Sequence, residues 1–255
     1  MAITPVDLSV TNITATSVRL NWVAGESNAL QALISSLFGA GEPGAIYIPI
    51  PVVLGAQALF QDVAGTVPVT ADGDPVGRML DQSGNGNNAT QTVSGARPVY
   101  RTDGVLHWLE FDLVDDELLI PVNTLGVFDY FMAYAPTGNN FIITYVSGTS
   151  AGWVGVGQAG SSNTGLDDSV NIQTSIRFDG VLSTATSRGS QYSLGQDSSR
   201  VLINYDRGVN STVAIGLYSQ GAPIIGDMYG YVLRKGTMNA QQRTDLDNYY
   251  KAITP

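Results

Sequence analysis

The sequence predicts a mainly β chain folded as an antiparallel β-sandwich, and three observations carry that expectation. Short apolar-alternating runs recur at 106–113, 117–122, 127–134, 140–147, 152–157, 170–178, 200–205, 212–218 and 226–234, divided by Gly/Asn/Asp/Ser clusters. Nine or more short strands with turn chemistry between them define a sandwich or barrel. The composition agrees. The 255 residues are 44% hydrophobic but only 13% charged, with 29 glycines, whereas ordinary domains carry about 25% charged residues. The third observation is a strongly marked helix at the C-terminus alone. Asn239 and Gln242 have the spacing of a capping box, and Leu246, Tyr249, Tyr250 and Ile253 form one apolar stripe beyond them.

Three segments follow in order. Residues 1–26 read as a short N-terminal β arm: Val6, Leu8 and Val10 share one face, and Val18, Leu20 and Trp22 share another. Two strands alone are marginal in water, so the arm must pair with the body, another copy or a neighbour. Residues 27–44 read as a short helix over 27–38 and a linker. Leu30, Leu33, Ile34, Leu37 and Phe38 stand at helical spacing, Ser27 or Asn28 caps the start, and Gly39, Gly41 and Pro43 end it. This helix either covers an open end of the sandwich or serves oligomerisation and docking. Residues 45–255 form the sandwich.

Charge and composition exclude several functions. The net charge is −10, which repels phosphate backbones, so no nucleic-acid partner is expected. There are no cysteines, which removes disulfides, zinc–thiolate sites and cysteine nucleophiles. The most apolar run, Ala45–Leu54, contains Pro49 and Pro51 and is far shorter than a membrane span, so no membrane insertion is expected. Met1–Leu8 has neither a basic nor a long apolar segment, so the expectation is synthesis in a cytoplasm without a signal peptide.

Four phrases resemble the concanavalin A-like (laminin G-like) lectin/glucanase domains of tailed-bacteriophage virion and tail proteins. They are Leu59–Gly77; Met79–Gln91 with Ala96–Val99; Leu109–Leu118; and Gly230–Arg243, which is similar to the closing strand and cap helix of those domains. Asn88 stands where histidine is common and Leu113 where glycine is common. Leu8–Trp22 resembles the opening hairpin of a fibronectin type III module. The resemblance implies a jelly-roll sandwich in a virion, but a fold of this kind transfers no ligand. The residues themselves read as architecture: Gly84, Asn85, Gly86 and Asn87 suit a tight connection, Asp81 and Ser83 can bond the backbone of that turn, and 66–73 reads as a strand followed by a hairpin turn.

Candidate chemistry is sparse. Glycoside hydrolysis needs two carboxylates about 5–9.5 Å apart. Glu110 and Asp112 lie two apart on one expected strand, yet position 114 is Val where a third acid would fall; they read equally as solvent-facing positions between Leu109 and Phe111. His107 is the only histidine and reads as an ordinary surface or core residue of its strand, so no catalytic residue is expected. Calcium is the one cofactor the residues invite. Asp115 and Asp116 are its first candidates, with Asp167/Asp168 and Asp72/Asp74 as further acidic pairs. Sugar binding needs an exposed ring and hydroxyl partners. Trp153, Asn163, Asp167 and Asp168 supply that set, while Trp153, like Trp22 and Trp108, also fits a core position.

The expected function is therefore a non-enzymatic virion structural protein of a tailed phage. It would contact other virion proteins through residues 1–44, display the sandwich toward a cell-surface glycan or decorate the tail or capsid, and act as a homo-oligomer. A stand-alone carbohydrate-binding module and a glycan hydrolase are the alternatives.

Overall fold

The computed structural model describes residues 15–112, 114–122, 124–135, 140–146, 152–158, 172–185, 188–209, 213–218, 222–223 and 226–255. Two antiparallel sheets face each other across one core. The larger has the order Val181–Leu182, Ile172–Phe178, Arg200–Val209, Thr124–Ala135, Asp227–Lys235, His107–Glu110 and Val99–Thr102. Gly44–Tyr47 also pairs with Asp227–Lys235, opposite Tyr231 to Arg234, on the edge that His107–Glu110 joins at Asp227 and Met228. The smaller sheet runs Gly152–Gln158, Asn140–Val146, Val213–Ile215, Leu118–Ile120, Ala89–Thr90, Arg78–Met79 and Leu59–Phe60. Each of the nine runs expected from alternation contains a strand. The antiparallel, mainly β class is thus observed.

Strand alternation sorts the large sheet into two buried faces. Tyr130, Met132, Tyr134, Ile203, Tyr231 and Leu233 point inward and meet Leu59, Met79, Leu118, Ile120, Val213 and Ile215 of the smaller sheet. Their neighbours Phe131, Ala133, Leu202 and Val232 point outward, yet they too are buried. What covers them is a pair of helices, α1 (Ala15–Phe38) and α3 (Ala240–Lys251). Leu30, Leu33, Ile34, Leu37 and Phe38 of α1 and Leu246 and Tyr250 of α3 join that outer cluster. The molecule therefore has three layers, with helices, large sheet and small sheet stacked in that order.

The N-terminal segment departs from expectation. The strand expected over Val18–Trp22 is helical, because α1 starts at Ala15 and continues unbroken into the helix expected at 27–38. A helix satisfies its backbone donors and acceptors within itself, whereas an isolated hairpin needs a neighbouring strand. Val6, Leu8 and Val10 lie outside the described residues. The 27–38 helix covers the outer face of the large sheet rather than an open end. It is also fixed by polar contacts: Arg234 Nε donates to Leu37 O (2.7 Å) and its Nη2 to Glu42 Oε1 (3.0 Å).

The C-terminal helix has the cap its sequence predicts. Asn239 Oδ1 accepts from Gln242 N and Gln242 Oε1 accepts from Asn239 N, both at 2.9 Å. Gln242 Nε2 then donates to Ser36 O (2.6 Å), joining the two helices. Helix α2 (Arg188–Gln196) is not expected from sequence; its run Arg-Gly-Ser-Gln-Tyr-Ser-Leu-Gly-Gln has no apolar stripe and two glycines. The strand expected at 66–70 is reduced to a single antiparallel bridge, Pro68 opposite Phe60, with Gln61 N donating to Val67 O (2.8 Å) and Val69 N to Leu59 O (3.0 Å). Asp62 Oδ1 takes the Thr66 and Val67 N–H groups at 2.8 and 3.0 Å.

One glycine is dictated by packing. A Cβ on Gly230 would lie 2.0 Å from Tyr250 Cε1, and that ring is fully buried against Phe131 at a centroid distance of 4.8 Å. Gly230→Ala must displace the ring and is expected to cost about 1–3 kcal/mol of stability, measured by urea unfolding. Unchanged stability would show that α3 is free to shift away from the sheet.

Candidate functional site

The residues singled out by sequence fall in three places. Trp153 lies on Gly152–Gln158, the edge strand of the smaller sheet, opposite Tyr145. Asn163, Asp167 and Asp168 lie outside the described residues. Asp115 and Asp116 sit in the turn that leaves His107–Glu110, where Asp112 joins them. One carboxylate oxygen from each of the three lies within 4.8 Å of the others.

That turn is built by its own acids. Asp112 Oδ1 accepts from the backbone N–H groups of Val114 (2.8 Å), Asp115 (3.2 Å) and Asp116 (3.4 Å), while Asp116 Oδ2 accepts from Asp112 N (2.8 Å). Asp112 and Asp115 are exposed and Asp116 is buried. Burial pushes the Asp116 carboxyl up to about 6, and the neighbouring charges of Asp112, Asp115 and Glu110 push the same way, against the Asp112 N–H bond. Calcium takes six to eight oxygens. With Asp112 Oδ1 and Asp116 Oδ2 already engaged, these acids leave at most four, so water would have to complete any cation site.

The hydrolase candidates do not share a strand face. The strand ends at Glu110, and Asp112 lies in the turn beyond it. Glu110 Oε2 accepts from Arg101 Nε at 2.6 Å, and Arg101 also reaches Asp72 at 3.4 Å. His107 is half-buried, stacked on Tyr100 with its Nδ1 2.5 Å from the phenol oxygen, and burial lowers its pKa. Asp74 Oδ2 closes its own turn by accepting from Thr70 N and Ala71 N.

The Met79–Gln91 phrase is architectural. Asp81 accepts from Ile46 N (3.1 Å), Ser83 N (2.8 Å), Ser83 Oγ (2.8 Å) and Asn87 N (3.0 Å). Asn88, at the position that departs from the resembled family, accepts from Asp81 N with its Oδ1 (3.0 Å). Asn85 and Asn87 donate to Gly44 O at 3.1 and 2.8 Å, so the whole turn is bound to the Gly44–Tyr47 strand.

Sequence reasoning missed a convergence of arginines. Arg177, Arg200 and Arg243 come from two strands and a helix to line one pocket of about 270 Å³. Residues so far apart in the chain carry no spacing signal, and only the fold brings them together. No protein-family model matches the chain, and no curated protein matches its sequence.

The Asp116 environment yields a pH test. The folded chain holds this proton more tightly than the unfolded one, whose carboxyl titrates near 3.8. Ionised Asp116 therefore costs stability above about pH 6, and the cost fades as pH falls toward 4. Asp116→Asn is expected to stabilise the protein at pH 7.5 by on the order of 1–3 kcal/mol and to leave it nearly unchanged at pH 4, by urea unfolding at both values. An equal difference at the two pH values would sink this assignment.

Proposed function

We propose that the chain is a non-enzymatic structural protein of a tailed-phage virion. It displays a lectin-like, concanavalin A-type jelly-roll sandwich, either to attach to host-surface glycans or to decorate the tail or capsid. The observation that carries this reading is the Met79–Gln91 phrase. It is the most specific part of the resemblance to phage virion domains, and its Asp81 clasp ties two distant parts of the sandwich together. The commitment of Glu110 to Arg101 and of Asp112 to its turn supports the non-catalytic part of the reading.

Packing narrows the attachment segment. Residues 27–44 belong to the body through Leu30, Leu33, Leu37, Glu42 and the Gly44 strand. Contact with other virion proteins, and self-association for repeated display, then falls to residues 1–26. The residues proposed to meet a sugar are Trp153, on an edge strand, and Asn163, Asp167 and Asp168.

Deleting residues 1–26 is expected to leave a cooperatively folded protein that is lost from purified particles, as read by mass spectrometry of the particles. Deleting residues 1–44 is expected to abolish folding, because it strips the outer face of the large sheet. Normal incorporation of the shorter deletion would refute the attachment role. Glycan-array binding that disappears on Trp153→Ala supports display for host recognition. Glycan binding by a chain absent from particles marks a stand-alone module instead, and sugar release abolished by Glu110→Gln marks a hydrolase.

A further inference from the structure

The arginine pocket lies where α3 crosses the outer face of the large sheet, beside the turn between Ile172–Phe178 and Val181–Leu182. Its apolar lining is Phe131, Leu202 and Leu246, all buried. Its polar lining includes Arg177, Arg200, Arg243 and Asp247. Gly180 borders it without a side chain; a Cβ there would stand 3.3 Å from Asp247 Oδ2.

The three guanidinium groups are not equivalent. Arg200 is buried and shared between two carboxylates, reaching Asp179 Oδ1 at 3.1 Å and Asp247 Oδ1 at 2.8 Å, so it has no charge to spare for a ligand. It also engages Asp247, the carboxylate that would otherwise repel an anion in the pocket. Arg243 donates from Nη1 to Met238 O and pairs with no carboxylate among the described residues. The Arg177 side chain is half-buried and, among the described residues, has no hydrogen bond or ion pair. A half-buried guanidinium with five donors and no acceptor is poised for a partner. In a chain of net charge −10 with 12 basic residues, Arg177 with no described partner and Arg243 with only the longer-range field of Asp129 stand over an apolar floor and create a local site for negative charge.

We propose that this pocket binds a single ring-sized anionic ligand. Arg177 and Arg243 hold its carboxylate or phosphate, and its body rests on Phe131, Leu202 and Leu246. The planar fork of arginine matches both anions in a two-bond geometry. The volume of about 270 Å³ falls at the small end of ligand sites, which sets the occupant at one ring rather than an extended chain. The pocket is made by other elements than the Trp153 edge, so either site can fail without the other.

Calorimetric titration of the full chain with glucuronate, inorganic phosphate and glucose at low ionic strength tests the proposal. At least one of the two anions is expected to bind and glucose is not. Arg177→Gln and Arg243→Gln should each weaken that binding about tenfold, and 0.5 M salt should weaken it in the wild type. Tighter binding of glucuronate identifies a carboxylate-bearing sugar, and tighter binding of phosphate identifies a phosphorylated ligand. The Arg177 side chain makes no hydrogen bond or ion pair with the described residues, so Arg177→Gln should keep the wild-type melting temperature and decides the matter if Arg243→Gln unfolds. Arg177→Lys should restore part of the affinity. The proposal is overturned if neither anion binds at about 10 mM, a concentration that would reveal even millimolar affinity. It is equally overturned if binding is unchanged in Arg177→Gln, or if glucose binds as well as the anions.

Discussion

The central stretches Phe128–Tyr134 and Met228–Arg234 of two neighbouring strands are buried on both faces, and the other elements are arranged around that constraint. A sheet in a simple sandwich turns one face to water. Here Phe131, Ala133, Leu202, Val232, Ile46 and Ile48 would form one contiguous apolar surface if α1 and α3 were absent. Exposed surfaces of that kind drive association. The helices are therefore part of the core, and the segment from Leu30 to Phe38 cannot be a detachable appendage. The same constraint fixes Gly230, because α3 approaches the sheet closely enough that Tyr250 occupies the space of a Cβ.

Burial of the outer face carries a cost wherever that face is polar, and the structure meets it with a row across three strands. Asp129 stands opposite Asn204 on one side and Arg234 on the other. Asp129 accepts from Asn204 Nδ2 (2.5 Å) and Met238 N (2.6 Å); Arg234 donates to Leu37 O and Glu42. Burial raises the pKa of Asp129, with its hydrogen bonds and nearby arginines opposing the shift. A buried charge without such partners would be strongly unfavourable. The row thus holds the start of α3 and the end of α1 at fixed places on the sheet, which hydrophobic contact alone does not specify.

The legibility of this fold in sequence follows from the range of the interactions involved. Period-two alternation exposed the strands, and Asn239 with Gln242 exposed the α3 cap, because both signals are local. Two-sided burial was harder to see. It makes 128–134 read as a nearly continuous apolar run, which marks a buried strand but does not reveal what covers it. The alternation of Val18, Leu20 and Trp22 misled, since five residues with apolar positions two apart are compatible with a helix when no partner strand is supplied. The acidic turn was visible through Asp115 and Asp116, whereas Asp112 read as a strand position beside Glu110. The turn's internal hydrogen bonds were not visible, and neither was the arginine pocket, whose residues Arg177 and Arg243 are brought together only by tertiary packing.

The distribution of charge now has a structural meaning. Part of the acidity is turn chemistry: Asp62, Asp74, Asp81, Asp103 and Asp112 each accept at least two backbone N–H groups in the connections between short strands. A fold with many short strands needs many such acceptors, because its loops leave donors that no ladder satisfies. The arginines do the complementary work, donating to carbonyls and carboxylates where elements meet: Arg234 at α1, Arg200 at α3, Arg101 between Asp72 and Glu110. The informative residue is the one outside that scheme. Among the described arginine side chains Arg177 alone donates to no described residue, and it stands beside a pocket whose carboxylate is already engaged by Arg200.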